Sequence, residues 1–178
     1  MIKIDDWVIE KGEKAQGKIE ITGCGMAMPA TVICGVEDGP TILITAGVHS
    51  AEYVGIQAAM ELAKEFQPEE LKGNVIIIPL VNVSGFEHRT MSMVYEDGKN
   101  LNRVFPGDPE GTAADRIAYT MVTKLFSITD YYIDLHSGDG YEQLHPYVYY
   151  VGVVDEKTAE VTEKPEGATC TEGGKITY

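Results

Sequence analysis

The sequence predicts an α/β fold from three consecutive stretches: an apolar run at 41–46, a helical apolar period over 51–66, and a second apolar run at 74–81. Thr41-Ile42-Leu43-Ile44-Thr45-Ala46 lacks the alternation of a half-exposed strand, which is the pattern of a strand covered on both faces. After it, Val54, Ile56, Ala58, Ala59, Leu62, Ala63 and Phe66 recur at helical spacing; Ser50 offers an N-cap, and Pro68 stands where a helix must already have ended. Asn74-Val75-Ile76-Ile77-Ile78-Pro79-Leu80-Val81 then reads as a second buried strand. Strand, helix and strand in that order form a parallel crossover, the building unit of α/β sheets.

The flanking elements follow from the same patterns. Lys18-Ile19-Glu20-Ile21-Thr22 and Ala30-Thr31-Val32-Ile33-Cys34 are rich in β-branched residues, with Gly23, Gly25 and Pro29 between them, and predict a hairpin-like N-terminal β unit. Glu37-Asp38-Gly39-Pro40 reads as a turn. Residues 82–112 hold Gly85, Gly98, Pro106, Gly107, Pro109 and Gly111, a long irregular stretch of the kind that carries function in compact domains. A helix is expected over 112–126, with Asp115 in its first turn and Ile117, Met121, Val122 and Leu125 on one face. Tyr131-Tyr132-Ile133-Asp134-Leu135 is a third buried strand leading into His136-Ser137-Gly138. A fourth strand is expected over 146–154 and a short helix over 155–164.

At 178 residues the chain fits one catalytic domain, read as a β unit at 1–36 and an α/β core at 37–178. Its formal charge of -14 repels phosphate backbones, which argues against nucleic acid as a partner. A small anionic substrate remains compatible with that charge, because a few arginines in a cleft outweigh a distant, salt-screened surface. No basic segment followed by an apolar run opens the chain, and nothing approaches a membrane span, so a cytoplasmic location is expected. Cys24, Cys34 and Cys170 are odd in number and widely spaced, fitting neither a disulfide framework nor a cysteine zinc motif. Gly23-Cys24-Gly25 lacks the third glycine of a dinucleotide loop, and no phosphate-cradling GxxxxGK stretch exists. A homo-oligomer is compatible with all of this.

Two histidines carry the chemistry. His49 follows the 41–46 strand and His136 follows the 131–135 strand, and ligand sites form at that end of a parallel sheet. Glu52, three residues beyond His49, sits at the start of the expected helix and can face the same point. Two ligands close in sequence and a third from a distant strand match a catalytic zinc centre, with the fourth position left to water. The plainer alternative is a His49/Glu52 hydrogen-bonded pair with His136 as an ordinary strand-end residue. Asp134 or Asp139, on either side of His136, can orient its ring. In the long loop, Asn100-Leu101-Asn102-Arg103 sets an amide beside a guanidinium, which suits a bidentate grip on a carboxylate, and Arg89 is a second fixed cation. Salt bridges that merely pin the loop are the alternative for both arginines.

Gly47-Val48-His49-Ser50-Ala51-Glu52, then Asp97-Gly98-Lys99-Asn100-Leu101-Asn102-Arg103-Val104-Phe105-Pro106-Gly107, then Asp134-Leu135-His136-Ser137-Gly138 resemble, in order, the signature of the succinylglutamate desuccinylase/aspartoacylase family, relatives of the zinc carboxypeptidases. The resemblance covers roughly residues 40 to 140. It implies a carboxypeptidase-like α/β fold: a mixed, mainly parallel sheet flanked by helices, here without much of the family's usual C-terminal region. It also implies one zinc ion on His49, Glu52 and His136, a substrate carboxylate held by Asn102 and Arg103, and Arg89 polarising the scissile carbonyl. The activity it implies is hydrolysis of an N-acyl amino acid or a similar small carboxylate-bearing amide. A zinc carboxypeptidase acting on peptide C-termini would use the same residues, and a metal-binding module of little activity is the third reading. Ser50 departs from the glycine common in the family. The family's general base is a glutamate well downstream of the last histidine; Ala168-Thr169-Cys170-Thr171-Glu172-Gly173-Gly174 resembles its context, which makes Glu172 the candidate and leaves an absent base as the alternative.

Overall fold

A computed structural model describes residues 1–149, 169–171 and 175–177, and the chain divides into two compact units, Met1–Glu142 and Gln143–Tyr178. The first unit holds strands β1 (Ile2–Ile4), β2 (Trp7–Ile9), β3 (Lys14–Glu20), β4 (Ala27–Cys34) and β5 (Glu37–Ala46). Helix α1 (Tyr53–Glu65), strand β6 (Lys72–Ile78), helices α2 (Val83–His88) and α3 (Ala113–Thr120) and strand β7 (Tyr131–Leu135) complete it. In the second unit β8 (Val148–Tyr149), β9 (Thr169–Thr171) and β10 (Lys175–Thr177) pair antiparallel in the order β8-β10-β9. Of the expected 146–154 strand, Pro146 and Tyr147 are irregular, Val148 and Tyr149 form β8, and residues 150–154 lie outside the described residues, as does the whole expected 155–164 helix.

The main sheet runs β3-β4-β6-β5-β7. It is mixed and flanked by helices, as expected: β6-β5-β7 are parallel, while β3-β4 and β4-β6 are antiparallel. The crossover from β5 through α1 to β6 is the one read from the apolar runs. Both faces are covered, which is why those runs do not alternate. Ile33, Ile44, Ala46, Val75 and Ile77 pack with Ile56, Ala59 and Ala63 of α1 on one face. Val32, Leu43, Ile76 and Ile78 pack with Ile117, Ala118, Met121 and Leu125 on the other, together with Ile2, Ile4 and Ile9 from the small β1-β2 sheet.

Several expected boundaries shift, each for a local reason. The 37–40 segment is the start of β5, accommodated by a register irregularity between Glu37 and Thr41. Helix α1 begins at Tyr53 with Glu52 as N-cap, and Ser50 instead donates its hydroxyl to Met91 O at 2.6 Å. The loop after β6 contains α2, whose N-cap Asn82 accepts from Gly85 N–H at 3.0 Å, and a 3₁₀ turn at Leu101–Arg103. The next helix starts at a Thr112/Asp115 capping box and widens into a π turn at Met121–Leu125. Strand β7 is not covered as expected. It pairs with β5 alone among the described residues, and Tyr131, Tyr132 and Ile133 are exposed.

Candidate metal centre

The site forms where β5 and β7 end side by side, with Ala46 in register with Leu135. Gly47 turns the chain out of β5 at φ +65, where a side chain would be strained and its Cβ would meet Leu80 Cδ1 at 2.7 Å. The 47–52 turn is pinned on two sides. Ser50 N–H donates to Met91 O at 2.9 Å, and Gly140 N–H donates to Ala51 O at 2.8 Å. Gly55 brings α1 against the end of β7, because a Cβ there would lie 2.8 Å from Leu135 O. Glu52 at the start of α1 and His136 just past β7 are thereby brought together.

The Glu52 side chain is buried between two imidazoles. His49 Nδ1 lies 2.8 Å from Glu52 Oε1, and His136 Nδ1 lies 2.7 Å from Glu52 Oε2, which also accepts Ser137 N–H at 3.1 Å. Each ring is held from behind through its other nitrogen. His49 Nε2 reaches Asn100 Oδ1 at 3.1 Å, and His136 Nε2 reaches Asp134 Oδ2 at 2.7 Å. Asp134 is thus the carboxylate that orients His136; Asp139 instead accepts from Ser92 Oγ at 3.3 Å.

Burial raises the Glu52 carboxyl, but hydrogen bonds from His136 and His49 outweigh it and hold its pKa at about 2. His136 is pushed up to about 10, first by its bond to Asp134 and then by Glu52. His49 is raised by Glu52, against the opposing effect of burial. Without a metal, both rings therefore favour carrying a proton at Nδ1, where the carboxylate binds it.

The donor set fits a divalent cation. One ligating atom from each of His49, Glu52 and His136 lies within 4.8 Å of the others, and two imidazoles with one carboxylate are the donor set of a zinc site that keeps its fourth position open. With each Nε2–H engaged by an oxygen, each Nδ1 is the free coordinating nitrogen once its proton leaves.

Of the other expected residues, Arg89, Asn102 and Arg103 are exposed. Asn102 and Arg103 are exposed on the 3₁₀ turn, above the fully buried Leu101. Asn102 N–H donates at 2.9 Å to Asn100 Oδ1, the same oxygen that faces His49, so this turn is tied to the cluster. Arg103 Nη1 donates to Asn102 O at 2.8 Å. Arg89 is the left-handed C-cap of α2 at φ 57, and its exposed side chain forms no hydrogen bond or ion pair among the described residues. Two residues on, Met91 holds Ser50. Glu172 lies outside the described residues. Asn100 is a partner of His49 beyond the residues expected from the sequence, although its place in the Asn-Leu-Asn-Arg run beside the expected grip was a signal.

A His/Glu/His cluster at the carboxyl ends of parallel strands defines a candidate metallohydrolase centre, and comparison with known proteins narrows the class. The model of the succinylglutamate desuccinylase/aspartoacylase catalytic domain matches residues 38–160. The chain belongs to the succinylglutamate desuccinylase/aspartoacylase family. It is 40% identical over 132 residues to N-alpha-acetyl-L-2,4-diaminobutyric acid deacetylase of Halomonas elongata, a match covering 73% of this chain and 35% of that protein. Among solved structures it resembles the succinylglutamate desuccinylase/aspartoacylase of Rhodobacter sphaeroides, with TM-score 0.66 and 30% identity over 75% of this chain and 43% of the other. The product-bound ectoine utilization protein EutE (DoeB) of Ruegeria pomeroyi gives TM-score 0.67 and 31% identity, covering 75% and 42%. The chain thus spans less than half the length of these relatives. None of its described helices is long and apolar enough to cross a membrane.

Proposed function

We propose that this protein is a zinc-dependent amide hydrolase that removes a small acyl group from an N-acyl amino acid. The observation that carries this reading is the arrangement around Glu52: its two oxygens face two imidazole Nδ1 atoms, and both rings are fixed through Nε2. The name of the Halomonas relative, a deacetylase of an N-acetylated diamino acid, supports acetyl as the acyl group and an α-amino acid as the leaving part. The odd, widely spaced cysteines of the full sequence fit a cytoplasmic enzyme.

His49, Glu52 and His136 hold the ion, which when bound polarises the scissile carbonyl and makes water acidic enough to attack near neutral pH. Asn102 and Arg103 grip the substrate carboxylate, with the guanidinium supplying two parallel N–H donors to its two oxygens. That grip fixes the amide against the cluster, so the reacting atoms meet without further loss of orientational freedom. Arg89, a cation with no partner among the described residues, donates to the carbonyl oxygen as negative charge develops on it. Glu172 takes the proton of the attacking water and passes it to the departing amine.

The test is to strip the purified protein with a chelator, restore zinc, and assay N-acetyl amino acids against short peptides. One zinc per chain is expected, together with deacetylation that is lost on stripping and regained on reloading. Absence of stoichiometric zinc, or exclusive cleavage of peptides, would overturn the proposal. At constant zinc content, Glu172→Gln is expected to lower turnover about 10²- to 10⁴-fold, and unchanged turnover removes Glu172 from the mechanism.

A further inference from the structure

Thr45 is fully buried in β5, a polar side chain in a strand that otherwise packs Leu43, Ile44 and Ala46 into the cores. A buried hydroxyl is costly unless hydrogen-bonded, and here both of its capacities are used. It donates to Asp134 Oδ1 at 2.6 Å, and Tyr132 OH lies 2.9 Å from the same Oγ1. A hydroxyl has one hydrogen, and an ionised carboxylate can only accept. The Thr45 hydrogen therefore goes to Asp134, and Tyr132 must be the donor to Thr45. Asp134 accepts His136 Nε2–H through its other oxygen, Oδ2, at 2.7 Å.

The result is a directed chain, Tyr132 O–H to Thr45 O–H to Asp134 to His136. It lies along the pairing of β5 with β7, where Thr45 is in register with Asp134. Tyr132 belongs to the same face as Asp134, being two residues earlier on the strand, and its ring packs on Phe126 with centroids 4.8 Å apart. Although the Tyr132 side chain is partly exposed, its phenol is desolvated and faces the Asp134 charge, and both push its pKa up, so it keeps its proton as a donor. Without Thr45, Asp134 Oδ1 would lose its side-chain anchor, and the carboxylate would be free to turn away from His136.

We infer that Thr45 and Tyr132 are positioning residues for His136: they fix the Asp134 carboxylate so that it holds the imidazole with Nδ1 aimed at Glu52. The inference rests on the zinc reading only for its consequence for metal affinity, since the chain of hydrogen bonds is a property of the metal-free protein. Removing such an outer partner typically weakens metal binding about 10- to 100-fold. Thr45→Val, which keeps the shape and removes the donor, is expected to weaken zinc binding by about tenfold in competition with a chromophoric chelator. Thr45→Ser, which keeps the hydroxyl and removes a methyl group, is expected to restore most of that loss. Tyr132→Phe is expected to produce a smaller weakening of the same sign.

A second readout needs no metal. In the stripped protein, the His136 Nε2–H signal in ¹⁵N-edited NMR spectra is expected to be protected from solvent exchange, and to exchange faster in Thr45→Val but not in Thr45→Ser. If the wild-type protein binds no zinc, the metal reading fails while the exchange data still decide this inference. Unchanged exchange in Thr45→Val overturns it. So does a Thr45→Ser variant as impaired as Thr45→Val, because packing alone would then explain the effect.

Discussion

Replacing Gly55 with alanine tests how the fold places Glu52 against His136. A Cβ built on Gly55 meets Leu135 O at 2.8 Å and Leu135 C at 3.2 Å, both backbone atoms, whereas ordinary contact begins at 3.4 Å. The helix and the strand end must separate by about 0.6 Å to accept it. Leu135 immediately precedes His136, and Gly55 lies one turn beyond Glu52, so the strain falls between two of the proposed ligands. Overpacking of this kind costs about 1–3 kcal/mol, and the better helix propensity of alanine offsets up to about 1 kcal/mol of it. Gly55→Ala is therefore expected to lose roughly 0–3 kcal/mol of stability in denaturant. Because ligand placement tolerates only about 0.5 Å, the same change is expected to weaken zinc binding at least about tenfold. Gln57→Ala, an exposed position on the same helix, serves as the control for helix propensity. A Gly55→Ala protein that is more stable by about 1 kcal/mol and binds zinc as the wild type does would refute the close-approach argument.

Zinc affinity measured against pH should rise by at least about one log unit per unit of pH through the neutral range, because zinc must displace a proton from His136, whose metal-free pKa is about 10, and one from His49 wherever that raised imidazole is still protonated. In the metal-free protein the same group stabilises the fold most fully below its unfolded pKa of about 6.5, and that contribution is lost as pH rises through about 10. Chelator-treated protein should therefore melt at lower temperature at pH 10 than at pH 6. Asp115, lowered to about 2 by Lys99 and Thr112, has the opposite sign: its contribution is present above an unfolded pKa of about 4 and fades as pH falls toward 2. Asp115→Ala removes the capping box and the Lys99 pairing and should cost about 1 kcal/mol at pH 7, with the difference from wild type shrinking at pH 2. Arg103→Lys keeps the charge but loses the bidentate fork, so KM for an N-acetyl amino acid should rise about tenfold with zinc content unchanged.

The part of the fold legible in the sequence is the part where burial dictates pattern. The unbroken runs at 41–46 and 74–81 read as strands covered on both faces, and the helical period between them pointed to the parallel crossover. Where the chain sits at an edge or an irregularity, that signal weakens. Tyr131, Tyr132 and Ile133 read as buried because they are apolar, yet β7 has one neighbour among the described residues and leaves them exposed. Helix α2 was hidden by Gly85 in its interior, which lowers helix propensity but accepts a close approach to the Asn82 side chain and Met93 O. Pro40 argued for a turn, and the register irregularity in β5 lets it stand within a strand.

The same division runs through the site. His49 and Glu52 were readable because three residues span the turn from a strand end into a helix. Asp134 and His136 were readable because a strand repeats every two residues, which brings Tyr132, Asp134 and His136 to one side of β7 and its end. Thr45 was not, since its place beside Asp134 depends on which residue of β5 meets which residue of β7. That pairing is set by the apolar faces of both strands: a slip of one residue would turn Leu43 out of its core and carry Thr45 to the α1 face, away from Asp134. The burial that fixes the register thus also fixes the partner of a proposed metal ligand, so core substitutions in β5 should be felt at His136 before they are felt in the fold as a whole.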